Sequence, residues 1–176
     1  MKKTIVLGVT GSIAAYKAAD LTSQLVKNGK DVVVSMTTAA QKLVTPQTFL
    51  TLSRNPVVTD LWSMPEWQPG HIELADRAKL LVVVPCTANF LGKYANGIAD
   101  DALTTYAISH TGKVMVVPAM NPKMWKHPAV QQNVKTLKSR GVEFIGPVSG
   151  HVACGDDGEG RMEEIPAILA KILKEI

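Results

Sequence analysis

No apolar run in this 176-residue sequence approaches the roughly 20 residues that a membrane-spanning helix needs, so a helical membrane anchor is excluded. The apolar stretch after Lys2 and Lys3 reaches Gly8 within four residues. It therefore reads as part of the fold and not as a signal peptide, and the expected compartment is the cytoplasm. Cysteine is scarce. Cys86 and Cys154 are the only two, too few for a disulfide framework and too far apart for a close-spaced zinc site, so no metal is expected. A basic stripe is also missing. The net charge of +4 is spread along the chain, which argues against nucleic acid and suits anionic small molecules. Internal repeats, low-complexity tracts and linkers are absent, so residues 1–176 read as one domain.

The chain does hold short, Val-rich runs that alternate with helical stretches. Thr4 to Val9, Asp31 to Met36, Leu80 to Val84, Val114 to Val117 and Val142 to Ile145 read as buried strands. Helices are expected over Ile13 to Asn28 (stopped by Gly29), from Thr38 through Lys42, and over Pro46 to Leu52. Others are expected over Asp100 to Ser109, over Pro128 to Arg140 (stopped by Gly141), and along the closing stripe from Ile165 to Ile176. Trp62 to Gly70 reads as a loop, and Gly146 to Gly160 as a long glycine-bearing segment. This order predicts an α/β fold with a parallel sheet covered by helices on both faces. Ligands bind such sheets outside the carboxyl ends of the strands.

The chemistry-bearing motifs fall at those ends. Gly8-Val9-Thr10-Gly11-Ser12-Ile13-Ala14 can bring backbone amides against a phosphate, or it can be a plain strand-to-helix turn; it is neither a dinucleotide fingerprint nor a P-loop. In Pro85-Cys86-Thr87-Ala88-Asn89, Thr87 and Asn89 offer donors and acceptors, while Cys86 reads as a small packed hydrophobe. One of Asp100 and Asp101 is expected to cap a helix. Pro118-Ala119-Met120-Asn121-Pro122 reads as a rigid loop. Its Asn121 can hydrogen-bond a carboxylate, and Met120, Met124 and Trp125 can wall a flat ring or fill a core. Cys154-Gly155-Asp156-Asp157-Gly158-Glu159-Gly160-Arg161-Met162 has the glycine content of a lid, and its thiol can act as an acid. His71 can exchange protons near neutral pH.

Taken together and in this order, the motifs resemble the homo-oligomeric flavin-containing cysteine decarboxylases, over Gly8 to Met162. The resemblance implies a Rossmann-like, flavodoxin-like fold and a bound FMN. Gly11, Ser12, Ile13, Thr37, Cys86, Thr87, Ala88, Asn89 and Met120 would contact FMN, with its phosphate near the first turn. His71, Asn121 and Cys154 would be catalytic. Asn121, Met124, Cys154 and Arg161 would meet the substrate. That substrate would be 4'-phosphopantothenoylcysteine, converted to 4'-phosphopantetheine in coenzyme A biosynthesis.

In the implied chemistry the cysteinyl thiol is oxidised to a thioaldehyde, whose C=S group accepts the electron pair as carbon dioxide leaves. Cys154 then protonates the enethiolate. Peptide cysteine decarboxylases typically lack that thiol and stop at the enethiol. The family also implies trimers or dodecamers built of trimers; many members are fused to the synthetase that makes the substrate, which is expected here as a separate protein upstream. A flavin prenyltransferase, a non-catalytic flavin-binding subunit and a flavodoxin-type electron carrier are the rival readings. Each fits the motifs less well: the prenyltransferase does not need Cys154, the non-catalytic subunit would not keep His71, Asn121 and Cys154 together, and the electron carrier has a different phosphate loop. Two small departures from the family pattern stand at Cys86 and at Gly150-His151-Val152.

Overall fold

Strands β1 (Thr4–Val9), β2 (Asp31–Met36), β3 (Ala78–Cys86), β4 (Lys113–Pro118) and β5 (Glu143–Phe144) form one parallel sheet in the order β2-β1-β3-β4-β5. The computed structural model describes residues 4–62, 74, 77–151, 155 and 157–176. Helices α1 (Ala15–Lys27), α2 (Thr38–Gln41), α3 (Pro46–Ser53), α4 (Ala88–Ala95), α5 (Ala102–Ser109), α6 (Pro122–Trp125), α7 (Pro128–Ser139) and α8 (Ile165–Glu175) connect and close it. An antiparallel hairpin of β6 (Val148–His151) and β7 (Asp157–Arg161) stands apart as a second small sheet.

Side-chain alternation along the strands makes two cores. Ile5, Leu7 and Val9 of β1 face α1 and α8, where Ala18, Leu21, Leu25, Ile168 and Ile172 pack with them. Val6 of β1 faces the other way with Val83 and Val116, against Phe90 of α4, Leu103 and Tyr106 of α5 and Leu137 of α7. A strand buried on both faces must be apolar at successive positions, which is why the runs read as continuous hydrophobic segments. Gly8 belongs to this packing: a Cβ there would lie 2.7 Å from Leu103 Cδ1.

Strand order 2-1-3-4-5 puts the reversal of winding between β1 and β3. The crossovers leave a crevice at the carboxyl edge of that pair. The expected parallel α/β sheet and its five strands are present. β3 is longer than expected, running through Pro85 to Cys86, and β5 is shorter, with two residues. Residues 122–125, expected as part of a rigid loop, make the helical turn α6. Helix α4 and the β6–β7 hairpin were not expected at all.

Candidate active site

Four turns meet at the carboxyl edge of the sheet. Thr10, just past β1, is buried, and its hydroxyl donates to the Pro85 carbonyl at 2.7 Å while accepting the Thr87 N–H at 3.1 Å. This one side chain locks the turn after β1 to the turn after β3. Gly11 follows because α2 passes too close for any side chain: a Cβ would sit 2.5 Å from Ala39 Cβ. Ser12 Oγ accepts the Ala14 N–H at 3.3 Å, and α1 begins without a side-chain cap.

The other turns are helix caps. Thr37 accepts the Ala40 N–H at 3.2 Å and Thr87 the Phe90 N–H at 3.4 Å, so both threonines sit where helix N-termini open onto the crevice. Asn121 caps α6, its Oδ1 accepting the Lys123 N–H at 2.7 Å. That bond fixes which end of the amide is the acceptor and turns its nitrogen, the donor end, elsewhere. The hairpin docks on this loop. Met120 N–H donates to the Gly160 carbonyl at 2.9 Å, and Gly160 has φ +152 with room for no Cβ, since one would lie 2.5 Å from the Met120 carbonyl oxygen.

Two clefts open around the junction and share Gly11, Thr87, Ala88 and Met124. One, of about 580 Å³, runs between the first turn of α1 (Ile13, Ala14, Tyr16, Lys17) and the hairpin (His151, Gly160, Arg161, Met162), over a floor of Ala119, Met120 and Asn121. Its walls are mainly apolar. The other, of about 540 Å³, carries more polar side chains. Thr37, Thr38, Asn89, Lys93, Asp100, Asp101 and Thr104 line it. Each lies within the roughly 300–1,000 Å³ of ordinary ligand pockets.

Their charges are largely paired. Lys93 Nζ reaches both Asp100 oxygens at 2.8 Å, and this hydrogen bond holds the Asp100 carboxyl below the usual carboxylate range. Asp101 accepts the Thr104 N–H at 2.7 Å in a capping box at the start of α5. At the apolar cleft, Glu164 takes a hydrogen bond from Arg161 and lies 3.5 Å from Lys17. Arg161 first, then Lys17, lowers its pKa. His151 Nδ1 stands 3.4 Å from Asp157. Among the described residues no group of three His, Cys, Asp or Glu could hold a metal, and no helix is long and apolar enough to cross a membrane.

Of the residues singled out in the sequence, Gly11, Ser12, Ile13, Thr87, Ala88, Met120, Asn121, Met124 and Arg161 come together at the apolar cleft. Thr37 and Asn89 lie at the more polar one. Cys86 stands apart. Its side chain is fully buried in the core against α4 and α5, lines neither cleft, and burial pushes its thiol pKa well up. His71 and Cys154 lie outside the described residues. Tyr16 and Lys17 were missed, although they follow Ile13 by three and four positions on one helical face. Lys93, Thr104 and His151 were missed as well.

A flavoprotein family model matches residues 1–176 in full. The chain belongs to the flavoprotein family. It is 47% identical to the coenzyme A biosynthesis bifunctional protein CoaBC of Bacillus subtilis, over 98% of this chain but 43% of that protein, so it spans less than half the length of such bifunctional relatives. It is 42% identical to a Streptococcus mutans protein described as a probable phosphopantothenoylcysteine decarboxylase, over 100% of both chains. Among solved structures, a PPC decarboxylase mutant complexed with pantothenoylaminoethenethiol superposes with a TM-score of 0.88 at 28% identity, covering 99% of this chain and 98% of the other. The FMN-dependent cysteine decarboxylase SpaF gives 0.85 at 29%, covering 98% and 97%.

Proposed function

We propose that this flavoprotein decarboxylates 4'-phosphopantothenoylcysteine to 4'-phosphopantetheine with FMN as its cofactor, in coenzyme A biosynthesis. The observation that carries the reading is the pair of clefts with shared walls, one mainly apolar and one richer in polar side chains, at the β1/β3 reversal of a 2-1-3-4-5 sheet. A flavin mononucleotide has the same division, a flat ring at one end and a phosphate at the other. Full-length similarity to the S. mutans protein supports the substrate.

The more polar cleft suits the phosphate. Thr37 and Thr87 cap helices that open there, and Thr38, Asn89 and Thr104 add polar side chains. Gly11 borders both clefts, which would let the cofactor pass between them beside the first turn. Ser12, Ile13, Ala88 and Met120 would lie along the ring in the apolar cleft. Cys86 is left with a packing role. When bound, FMN supplies a two-electron acceptor that can return the same electrons, so the net reaction needs no outside oxidant.

The chain's own residues position, exclude water and move protons. Asn121 donates to the substrate carboxylate through its amide nitrogen, with Met124 beside it. Apolar walls strip water from that carboxylate and favour its loss as neutral carbon dioxide. His71 and Cys154, assigned through the sequence resemblance, exchange the protons, Cys154 giving its proton to the enethiolate. A phosphopantothenoylcysteine synthetase would supply the substrate in the cytoplasm. Ile13, Tyr16 and Met124 are exposed beside the cleft, at 64%, 62% and 49%, and a neighbouring subunit of a homotrimer, alone or within a dodecamer, would cover them.

The test is anaerobic incubation of the yellow protein with phosphopantothenoylcysteine, followed by mass spectrometry. A product lighter by carbon dioxide alone is expected. A product lighter by two further hydrogens would assign peptide-type chemistry instead. No product from flavin-loaded protein would sink the decarboxylase reading.

A further inference from the structure

We propose that Arg161, steadied by Glu164 and Lys17, receives the terminal phosphate of the substrate and makes the enzyme prefer the phosphorylated compound. This inference rests on the decarboxylase reading above. The substrate carries two anionic ends. Its carboxylate must reach Asn121 on the floor of the apolar cleft, and its phosphate lies at the far end of the pantothenoyl arm. From that floor the cleft runs out between α1 and the hairpin, where Lys17, His151 and Arg161 line it. Glu164 is paired with both Lys17 and Arg161, and the described residues that line this cleft include those two cations and no carboxylate.

Arg161 is the better placed of the two. Its side chain lies along the backbone of Gly150, where a Cβ would come within 3.0 Å of Nη1 and 3.3 Å of Cδ. Gly150 has φ +156, and it keeps the slot open. Glu164 occupies one side of the guanidinium. A planar fork held this way still has other N–H groups with which to bind phosphate oxygens, which a lone lysine does less well. The other cleft is not free for this second phosphate, because the cofactor's phosphate is assigned there.

The experiment compares kcat/KM for the phosphorylated substrate and for pantothenoylcysteine, using flavin-loaded wild type, Arg161→Ala and Arg161→Lys. Flavin absorbance checks that each variant keeps its cofactor. Wild type should favour the phosphorylated compound. Arg161→Ala should cut that preference about ten- to hundredfold, the range of one or two charge-assisted hydrogen bonds, and chiefly through KM. Arg161→Lys should restore part of it. An unchanged preference in Arg161→Ala would overturn the proposal, and so would an equal loss on both compounds, since Arg161 would then meet a part they share. If wild type turns over neither compound, the decarboxylase reading falls and this proposal falls with it.

Discussion

Thr10 is the residue on which the site's geometry turns. Its hydroxyl joins two turns from different strands, and its bond to the Pro85 carbonyl is buried away from water. Thr10→Val keeps the shape and removes both bonds. A loss of about 1–3 kcal/mol is expected, because buried polar groups are left without partners. For a chain of this size that lowers the thermal midpoint by about 2–4 °C per kcal/mol. Thr87 starts a helix that lines both clefts, so flavin affinity should fall as well, read as weaker quenching of FMN fluorescence by the apo-protein. Gly160→Ala tests a different contact. Its Cβ would run into the Met120 carbonyl oxygen, in a backbone conformation that alanine rarely adopts. The hairpin should then dock poorly on the Asn121 loop, with a large fall in turnover and little change in flavin affinity. Normal turnover would show that the docked hairpin is dispensable.

At the scale of elements, Asp101 and Asp100 are neighbours with different work. Asp101 closes a capping box with Thr104 at the start of α5, whereas Asp100 makes a surface pair with Lys93. Asp101→Ala should cost about 1 kcal/mol and lower the thermal midpoint by a few degrees, with Asp101→Asn recovering most of it. Asp100→Ala should do much less, because water screens exposed pairs. The sequence foretold that one of these acids would cap, and it foretold the strands, whose apolar runs are long and unbroken. It did not foretell α4. There Asn89, Gly92 and Lys93 interrupt the apolar stripe, and what makes the segment helical is the Thr87 cap plus burial of Phe90 and Leu91 in the core. The hairpin was hidden for a related reason: β7 is Asp-Gly-Glu-Gly-Arg, which has no strand propensity and pairs only because Gly158 and Gly160 fit against Pro122 and Met120. The same limit held at the site. Motif residues in the turns were legible and Lys17 could have been read from the helical spacing after Ile13, while Lys93 and His151 reach the clefts only through tertiary packing.

For the whole molecule, the ion pairs define a pH window. Lys113 bridges Glu143 and Glu175 at 2.8 Å each, tying β4 and β5 to the last helix, and Lys171 adds a longer contact to Glu143. Hydrogen bonding from Lys113 lowers the Glu143 pKa from its ordinary 4.5. Glu164 is lowered too, by Arg161 and then Lys17. Carboxyls lowered on folding bind protons more weakly in the native chain, so their contribution is present above about pH 4.5 and is lost as pH falls through the depressed values. Lys113 runs the other way. Hydrogen bonds to Glu143 and Glu175 raise it from 10.5, so its contribution is complete below that value and is lost as pH rises through the raised one. These pairs should therefore contribute steadily between about pH 5 and pH 10, while the buried Cys86 thiol, raised from its ordinary 9.0, begins to lower the thermal midpoint above about pH 9. Lys113→Met should lower the midpoint within that range slightly and flatten the alkaline limb above it. It should also weaken the acid limb, because Glu143 would titrate near its ordinary value once its partner is gone. Raising the salt concentration should act in the same direction, since these groups are partly exposed and so partly screened. An alkaline limb that keeps its full slope in Lys113→Met would show that other groups set the upper edge of the window.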